Sequence, residues 1–174
     1  TGKLFAYEHY DVEADLVCCG KGISSGLPLS AVLGRKELID VDPSLNSTHG
    51  GNPICCAATL ASLEVLQDEN LISESARKGL LLEKELIKIK NKYEDRIEIF
   101  GKGLVYAIHV KKSGTKEYDV EIVDRIIEKS MQKGVLLIRT GTGTIKIGPP
   151  LTIFDDALLE GVSVIDESIS ECFS

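Results

Sequence analysis

The sequence predicts an α/β fold built in two parts, and three patterns carry this prediction. A short apolar run at residues 15–19 ends in glycine, which is typical of a strand that is buried on both faces and runs into a tight loop. Residues 29–33 have the same character. Beyond Asp68, amphipathic helices alternate with strand-like segments. We therefore expect one domain over residues 1–68 and a small α+β domain over residues 69–174.

The first part contains one clear helix, which follows a loop dense in turn-forming residues. Asn52 is placed as the N-cap of this helix and Pro53 in its first turn. Residues 53–66 are apolar on nearly every side. This pattern predicts a buried helix, covered by other layers, rather than an amphipathic one.

The apolar pattern of residues 69–174 predicts helices that each pack one apolar face on a sheet. A helix is predicted where Leu82, Leu86 and Ile89 form one stripe, and Gly134 is well placed to end a later helix. The predicted elements are a helix over 71–93, a hairpin of strands 97–100 and 104–110, a helix over 119–133, strands at 135–138 and 145–147 separated by a turn at 140–144, and a last helix from Asp155.

Composition narrows the classes of function. A chain of 174 residues with 43% hydrophobic residues can bury a sizeable core. The net charge of −7 and the absence of a basic cluster interleaved with aromatic residues argue against a nucleic-acid partner. No apolar run approaches the roughly 20 residues that cross a bilayer, and the first residues do not resemble a signal peptide. We expect no membrane partner and a cytoplasmic location.

The cysteines and histidines do not predict a metal site. Five cysteines include two adjacent pairs, Cys18 with Cys19 and Cys55 with Cys56, which fits neither a disulfide framework nor a zinc spacing. The three histidines lie far apart in the sequence. We expect reduced cysteines that pack as small core residues, and no metal.

Lys21 is the first candidate for chemistry, because it stands between Gly20 and Gly22 at the end of a predicted strand. A lysine between two glycines is usually a solvated turn residue. The position favours a functional role, since ligands collect where the strands of an open α/β sheet end. A lysine that is partly desolvated there presents a neutral amine that can attack a carbonyl, as Schiff-base chemistry requires.

Ser47 and Thr48 are the second candidates. They precede Gly50, Gly51 and the predicted start of a helix, so hydroxyl and backbone N–H groups are available for a phosphate. An ordinary capped helix start explains the same segment equally well. The spacing of a Walker A phosphate loop is absent.

Two segments carry a resemblance to class III aminotransferases. Residues 15–31, DLVCCGKGISSGLPLSA, resemble the cofactor-lysine segment of that family, and residues 47–53, STHGGNP, resemble its second signature. Residues 101–104, GKGL, and residues 145–152, IKIGPPLT, are similar to two further family segments. The resemblance spans essentially the whole chain, and the first two segments, in this order and at this separation, are its specific part.

The resemblance implies a fold-type I transferase dependent on pyridoxal 5′-phosphate. Residues 1–68 would be the end of the large-domain sheet, and residues 69–174 the small C-terminal domain. Lys21 would hold the cofactor as a Schiff base and then move the substrate proton. Thr48, with Ser47 beside it, would bind the cofactor phosphate across the interface of a homodimer, so that the site is shared between subunits.

Lys146 and Arg139 are the candidates for binding a substrate carboxylate. The family often carries an arginine before its Pro-Pro pair, and this chain has Lys146 there. Lysine keeps the positive charge but loses the bidentate fork, so Arg139 is an alternative. The sequence is equally consistent with Lys146 being an exposed strand residue that binds no substrate.

The resemblance further implies amino-group transfer from an amino acid to a 2-oxo acid, with an ω-amino acid such as 4-aminobutyrate as the donor. A racemase or an aminomutase on the same scaffold would use the same lysine. The family also has an earlier half with a phosphate loop, a ring-stacking aromatic residue and an aspartate under the pyridine nitrogen. Because none of these occurs in this sequence, the chain reads as a C-terminal portion that is inactive by itself.

Overall fold

The computed structural model describes residues 1–42, 44, 46–141 and 143–174. The chain divides into two compact units, one of residues Leu4–Leu71 and one of residues Thr1–Lys3 and Ile72–Ser174. They are called the lysine unit and the sheet unit below. Their identity with the large and small domains of a longer enzyme stays a prediction.

The lysine unit is built on a two-stranded sheet and one long helix. Strands β1 (Leu16–Cys19) and β2 (Ala31–Gly34) pair antiparallel, with Cys19 opposite Ala31. A single 3-10 turn, Lys21–Ser24, follows β1. Helix α1 (Lys36–Ile39) is one turn long, and α2 (Pro53–Asp68) starts at the predicted cap. The Asn52 side chain accepts hydrogen bonds from the backbone N–H groups of Ile54 and Cys55, which confirms the predicted N-cap.

Two burial predictions for this unit are wrong. Strand β1 alternates between exposed and half-buried residues, because only one strand pairs with it. Helix α2 buries only Cys55 among its described residues, while Ile54 is 73% and Leu60 is 61% exposed. The apolar sequence of α2 predicts that other segments cover this helix. The described residues of the lysine unit cover it on one side only.

The start of β2 also differs from the prediction, lying at Ala31 rather than at residue 29. The chain first passes through Leu27 and Pro28, and the hydroxyl of the buried Ser24 donates a hydrogen bond to the Leu27 carbonyl. Pro28 has no N–H to donate to a sheet ladder, so pairing can begin only after it.

The sheet unit contains a four-stranded antiparallel sheet and three helices. The strand order is β3-β4-β6-β5. The helices correspond closely to the predicted segments. The elements are α3 (Leu71–Lys92), β3 (Ile97–Lys102), β4 (Val105–Val110), α4 (Val120–Gln132), β5 (Ile138–Thr140), β6 (Thr144–Ile147) and α5 (Asp155–Phe173).

One core fills this unit, between one face of the sheet and the helices. Strand β4 alternates strictly, with Tyr106, Ile108 and Val110 buried. The stripe of α3 at Leu82, Leu86 and Ile89 is buried as predicted. The other members are Ile97, Leu104, Val123, Ile126, Ile145, Ile147, Leu158, Val162, Ile165, Ile169 and Cys172. Strands β4 and β6 thus turn alternate residues toward the helices and the intervening ones away from them.

The cap at the end of α4 explains why the next strand begins later than predicted. Gly134 has a left-handed φ of 92°, and the N–H of Val135 bonds back to the Ser130 carbonyl at 2.8 Å. This cap uses the first N–H group of the predicted strand at 135–138. Strand β5 therefore begins only at Ile138. The predicted turn at 140–144 includes Thr142, which lies outside the described residues.

Helix α3 and the β3–β4 turn approach each other closely through two glycines. A Cβ atom on Gly79 would stand 2.4 Å from the Cα of Gly103, which has a left-handed φ of 56°. No side chain fits at that distance without moving backbone. The contact between bare backbones sets how closely the helix lies on the hairpin.

We expect Gly79→Ala to lower the free energy of unfolding by about 2 kcal/mol, because the clash with the Gly103 backbone outweighs the better helix propensity of alanine. Gly161→Ala on α5 is the matched control, since its Cβ would meet nothing within 4 Å. That variant should gain up to about 1 kcal/mol. Urea unfolding of both variants measures the difference, and equal shifts would contradict the close approach.

An ion-pair cluster joins α4 to α5 on the surface. Lys129 and Lys133 lie 2.7 Å and 2.6 Å from the carboxylate of Glu171, and Lys133 also pairs with Glu167 at 2.7 Å. Hydrogen bonds from Lys129 and then Lys133 lower the pKa of Glu171 from its ordinary value of 4.5 to about 2. The charged carboxylate is thus favoured in the folded state.

Acid titration should reveal this cluster. The contribution of Glu171 is fully present above pH 4.5 and is lost as the pH falls through about 2, because protonation then costs the folded state its ion pairs. Glu171→Gln should therefore flatten the fall in stability across that pH window. Glu160→Gln, on the exposed side of the same helix, is the matched control. Urea midpoints measured at several pH values make the comparison, and identical slopes for Glu171→Gln and the unmodified protein would count against it.

Candidate active site

Lys21 is the first residue of the 3-10 turn Lys21–Ser24, here called the lysine turn. Its side chain is exposed and lines an open depression together with Gly22 and residues 25–29. A Cβ on either neighbouring glycine, Gly20 or Gly22, would meet nothing within 4 Å. The side chain therefore lies directly beyond the end of β1, as the sequence predicts, but it is exposed rather than partly desolvated.

The backbone of the lysine turn is held in an uncommon conformation. Lys21 and Ser25 both have a left-handed φ of 52°, and among the described residues only one other non-glycine residue, Asn70, has a positive φ. Such a conformation costs a side-chain-bearing residue on the order of 1 kcal/mol and persists only where its surroundings hold it. Residues of this kind concentrate at functional sites.

Side-chain hydrogen bonds hold the turn against α2. The hydroxyl oxygens of Ser25 and Ser62 lie 2.8 Å apart. Ser62 donates its own proton to the Ala58 carbonyl at 2.8 Å, so Ser25 is the donor to Ser62. Helix α2 is therefore the support on which the turn carrying Lys21 rests.

Ser47 and Thr48 lie in the exposed turn before α2. The Gly50 N–H donates to the Ser47 carbonyl at 2.9 Å, which closes this turn. Since Asn52 already takes the first N–H groups of the helix and Pro53 has none, an anion here would depend on the two hydroxyls and on loop N–H groups. The predicted phosphate site thus lacks the helix-end N–H groups that a ligand usually meets.

The structure brings both candidate segments to the same helix. Ser47 and Thr48 lie just before the start of α2, whereas Ser25 at the end of the lysine turn contacts the helix at Ser62, about 14 Å further along the axis at 1.5 Å per residue. Among the described residues, no hydrogen bond joins Lys21 to Ser47 or Thr48. The resemblance implies that Lys21 of one subunit and Thr48 of the other form one site across a homodimer interface, and this stays a prediction.

Lys146 and Arg139 lie on opposite faces of the four-stranded sheet. Lys146 stands opposite Ile138 and is exposed, whereas Arg139 stands opposite the buried Ile145. Arg139 reaches α4, where its Nε lies 2.7 Å from the Asp124 carboxylate. Because that guanidinium already has an anionic partner, Lys146 is the better candidate for a substrate carboxylate.

A largely apolar cavity of about 380 Å³ opens beside Lys146. It forms where residues 134–137 diverge from β6 before β5 begins. Its walls are residues 134–137, residues 146–150, Ile153 and the inner side of α5. Lys146 is the only charged residue among the described residues that line this cavity.

Sequence reasoning missed one charged residue of the core. Lys78 is only 7% exposed, and its Nζ donates a hydrogen bond to the Leu151 carbonyl at 3.0 Å. A signal was present, since position 78 continues the buried α3 stripe of Leu82 and Leu86 by one helical turn. A lysine at a core position of a helix is unusual enough to be noted.

The five cysteines are free thiols, of which Cys55 and Cys172 are buried and Cys18 is exposed. The prediction of small core residues thus holds for two of them and is wrong for Cys18, because β1 has no layer over that side. Within the described ranges, no group of histidine, cysteine, aspartate and glutamate side chains is arranged to hold a metal ion.

The family model described as aminotransferase class-III matches residues 1–169. The chain belongs to this class III aminotransferase family. The match covers the lysine turn, the loop before α2 and the segment around Lys146. The resemblance of the two signature segments is therefore confirmed at the level of the family.

Curated relatives in the family include more than one named activity. The 4-aminobutyrate aminotransferase of Mycobacterium leprae is 35% identical over 98% of this chain and 39% of that protein. The leucine/methionine racemase of Thermococcus litoralis is 33% identical over 98% of this chain and 39% of that protein. This chain thus spans about two fifths of the length of the curated relatives it matches.

Solved structures of class III aminotransferases share the fold. The acetylornithine aminotransferase from Elizabethkingia anophelis has a TM-score of 0.86 and 36% sequence identity, covering 98% of this chain and 42% of that one. The predicted α/β fold-type I architecture, with this chain matching a portion of it, is therefore confirmed. In the part of the chain that the structure describes, no helix combines the length and apolar character needed to cross a bilayer.

Proposed function

We propose that this protein transfers an amino group from an ω-amino acid such as 4-aminobutyrate to a 2-oxo acid, using pyridoxal 5′-phosphate bound to Lys21. The observation that carries the proposal is the exposed amine of Lys21, held by a strained turn at the end of β1 within a segment that matches the family. An amine in this position is free to react with a carbonyl.

The residues present fit this cofactor. The open space around Gly20 and Gly22 leaves room for a ring beside the Lys21 amine, and the exposed hydroxyls of Ser47 and Thr48 can donate to a phosphate. When bound, pyridoxal phosphate supplies an aldehyde for covalent attachment and a ring that withdraws electrons from the substrate carbon.

Lys21 then has two tasks. Its amine would hold the cofactor covalently and, when free, would take a proton from one carbon and return it to another. The lysine turn would serve both tasks, because the hydrogen bond from Ser25 at its end to Ser62 of α2 holds the backbone while the long side chain moves.

Lys146 is proposed to bind the substrate carboxylate, since Arg139 is already paired with Asp124. A single ammonium makes a less directional contact than a guanidinium fork. The ω-amino-acid donor is supported by the names of two relatives, the 4-aminobutyrate aminotransferase and a 5-aminovalerate aminotransferase of Pseudomonas putida that is 35% identical.

A homodimer with a shared site is part of the proposal. It rests on the resemblance of residues 47–53 to the family's second signature, because the apolar side chains exposed on α2, such as Ile54 and Leu60, suit burial against any covering segment of a longer chain as well as against a second copy. The free cysteines, including the exposed Cys18, support a reducing cytoplasmic compartment.

Reduction with borohydride tests the assignment of Lys21. The protein, produced as its gene encodes it, is mixed with pyridoxal phosphate, reduced and digested, and mass spectrometry should find the pyridoxyl group on Lys21. Lys21→Arg should lose the label and the activity, because arginine cannot form the covalent bond. Lys36→Arg, at an exposed lysine of α1, is the matched control and should keep both. A pyridoxyl group on another lysine would refute the assignment.

Racemisation is the second candidate, favoured by the racemases of Thermococcus litoralis and Pyrococcus horikoshii, at 33% and 32% identity. Transamination needs a 2-oxo acid acceptor and racemisation does not. We expect conversion of 4-aminobutyrate only when 2-oxoglutarate or pyruvate is added, measured as the new amino acid formed. If a single enantiomer of leucine or alanine loses optical purity without an acceptor, the protein is a racemase and the proposed amino-group transfer is wrong.

A further inference from the structure

Lys78 is a buried cation in the sheet unit that the proposed chemistry does not use. Its side chain lies on the core stripe of α3 with 7% exposure. Removing an ammonium group from water is costly unless hydrogen bonds and opposite charges compensate. A lysine at such a position therefore indicates that its contacts serve a purpose beyond filling the core.

The contact that Lys78 makes is to a loop. Its Nζ donates to the Leu151 carbonyl at 3.0 Å, and the loop of residues 148–154, here called the Pro-Pro loop, joins β6 to α5. Two of its residues are prolines without an N–H group. Within the loop, the Ile153 N–H bonds to the Pro150 carbonyl at 3.0 Å.

A neighbouring cation holds the end of the same loop. Arg77 lies 2.8 Å from the carboxylate of Asp155, at the first residue of α5, and also pairs with Glu74. The pKa of Asp155 lies below its ordinary value, first because of the hydrogen bond from Arg77 and to a lesser extent because of the charge of Lys78. Adjacent residues of α3 thus anchor the middle and the end of the Pro-Pro loop.

The anchored loop forms one wall of the cavity beside Lys146. Gly148, Pro149, Pro150 and Ile153 line this cavity. Lys146 lies at its rim, two residues before the loop begins. A loop released from Lys78 would change the cavity wall next to Lys146, whereas the pairing of β6 with β4 and β5 keeps the Lys146 backbone in place.

We propose that Lys78 is a positioning residue for the substrate-carboxylate site: its hydrogen bond to Leu151 fixes the Pro-Pro loop, which forms the cavity wall next to Lys146. The proposal rests on the proposed function in one respect, the role of Lys146. Lys78 acts through the loop and does not touch the substrate. Its loss should therefore weaken substrate binding and leave the proton transfer by Lys21 intact.

The test compares Lys78→Met with the unmodified protein, produced as its gene encodes it. Methionine has a similar length and suits a buried site, but it donates no hydrogen bond. We expect KM for the amino donor to rise about tenfold while kcat changes less than about twofold. Lys84→Met, at an exposed lysine of the same helix, is the matched control and should change neither.

Hydrogen exchange gives a readout that does not depend on activity. The Ile153 amide should exchange about tenfold faster in Lys78→Met, because the loop has lost a charge-assisted hydrogen bond. Amides of β4 should exchange as before, since replacing a buried charge by an apolar side chain does not weaken the core.

Each outcome decides the matter. Unchanged KM in an active variant, or an unchanged Ile153 exchange rate, overturns the proposal. Faster exchange in every element, with kcat falling in step with the folded fraction, overturns it in favour of a purely structural role. If Lys78→Met does not fold, Lys78→Leu, which also donates no hydrogen bond, is judged by the same KM and kcat criteria. If the unmodified protein transfers no amino group, the proposed function fails, and the exchange rate of Ile153 still decides whether Lys78 holds the loop.

Discussion

The close approach of α3 to the β3–β4 turn is the constraint on which the sheet unit depends. Gly79 and Gly103 let two backbones meet where neither could carry a side chain. That distance fixes the height of α3 above the sheet and so places its apolar stripe in the core. It also fixes Arg77 and Lys78, the adjacent residues that hold the loop before α5. The geometry beside Lys146 thus follows from a contact between two glycines.

Local chemistry made much of the fold predictable from the sequence. The caps at Asn52 and Gly134 and the apolar stripe of α3 each depend on residues that lie close together in the sequence. Such local patterns were enough to locate α2, α3, α4 and α5. Burial was less predictable, because it depends on which other segments cover an element. The apolar residues of α2 and β1 predicted layers that the described chain supplies on one side only. The late start of β5 was missed because a helix cap consumed the first N–H of the strand.

The sequence predicted the position of a site residue where neighbouring residues determine it. It did not predict positions that depend on contacts between segments distant in the sequence. Lys21 follows β1 on an exposed turn, as the strand and the two glycines predicted. The sequence could not tell that Arg139 and Lys146 point to opposite faces, because that depends on the register of β5 against β6. Lys78 was overlooked because its partner, Leu151, lies 73 positions away and contributes only a backbone carbonyl.

The uneven distribution of the core has a consequence for how the chain melts. All 17 residues of the core cluster lie in the sheet unit, whereas the lysine unit is held by a short ladder, a capped helix and a few serine hydroxyls. A cooperative transition needs a shared core, and the described residues of the lysine unit contribute none of the members of this cluster. A calorimetric or dichroism midpoint for the 174 residues would therefore describe the cooperative melting of residues 72–174. Among the described residues, the turn that carries Lys21 lies outside that core.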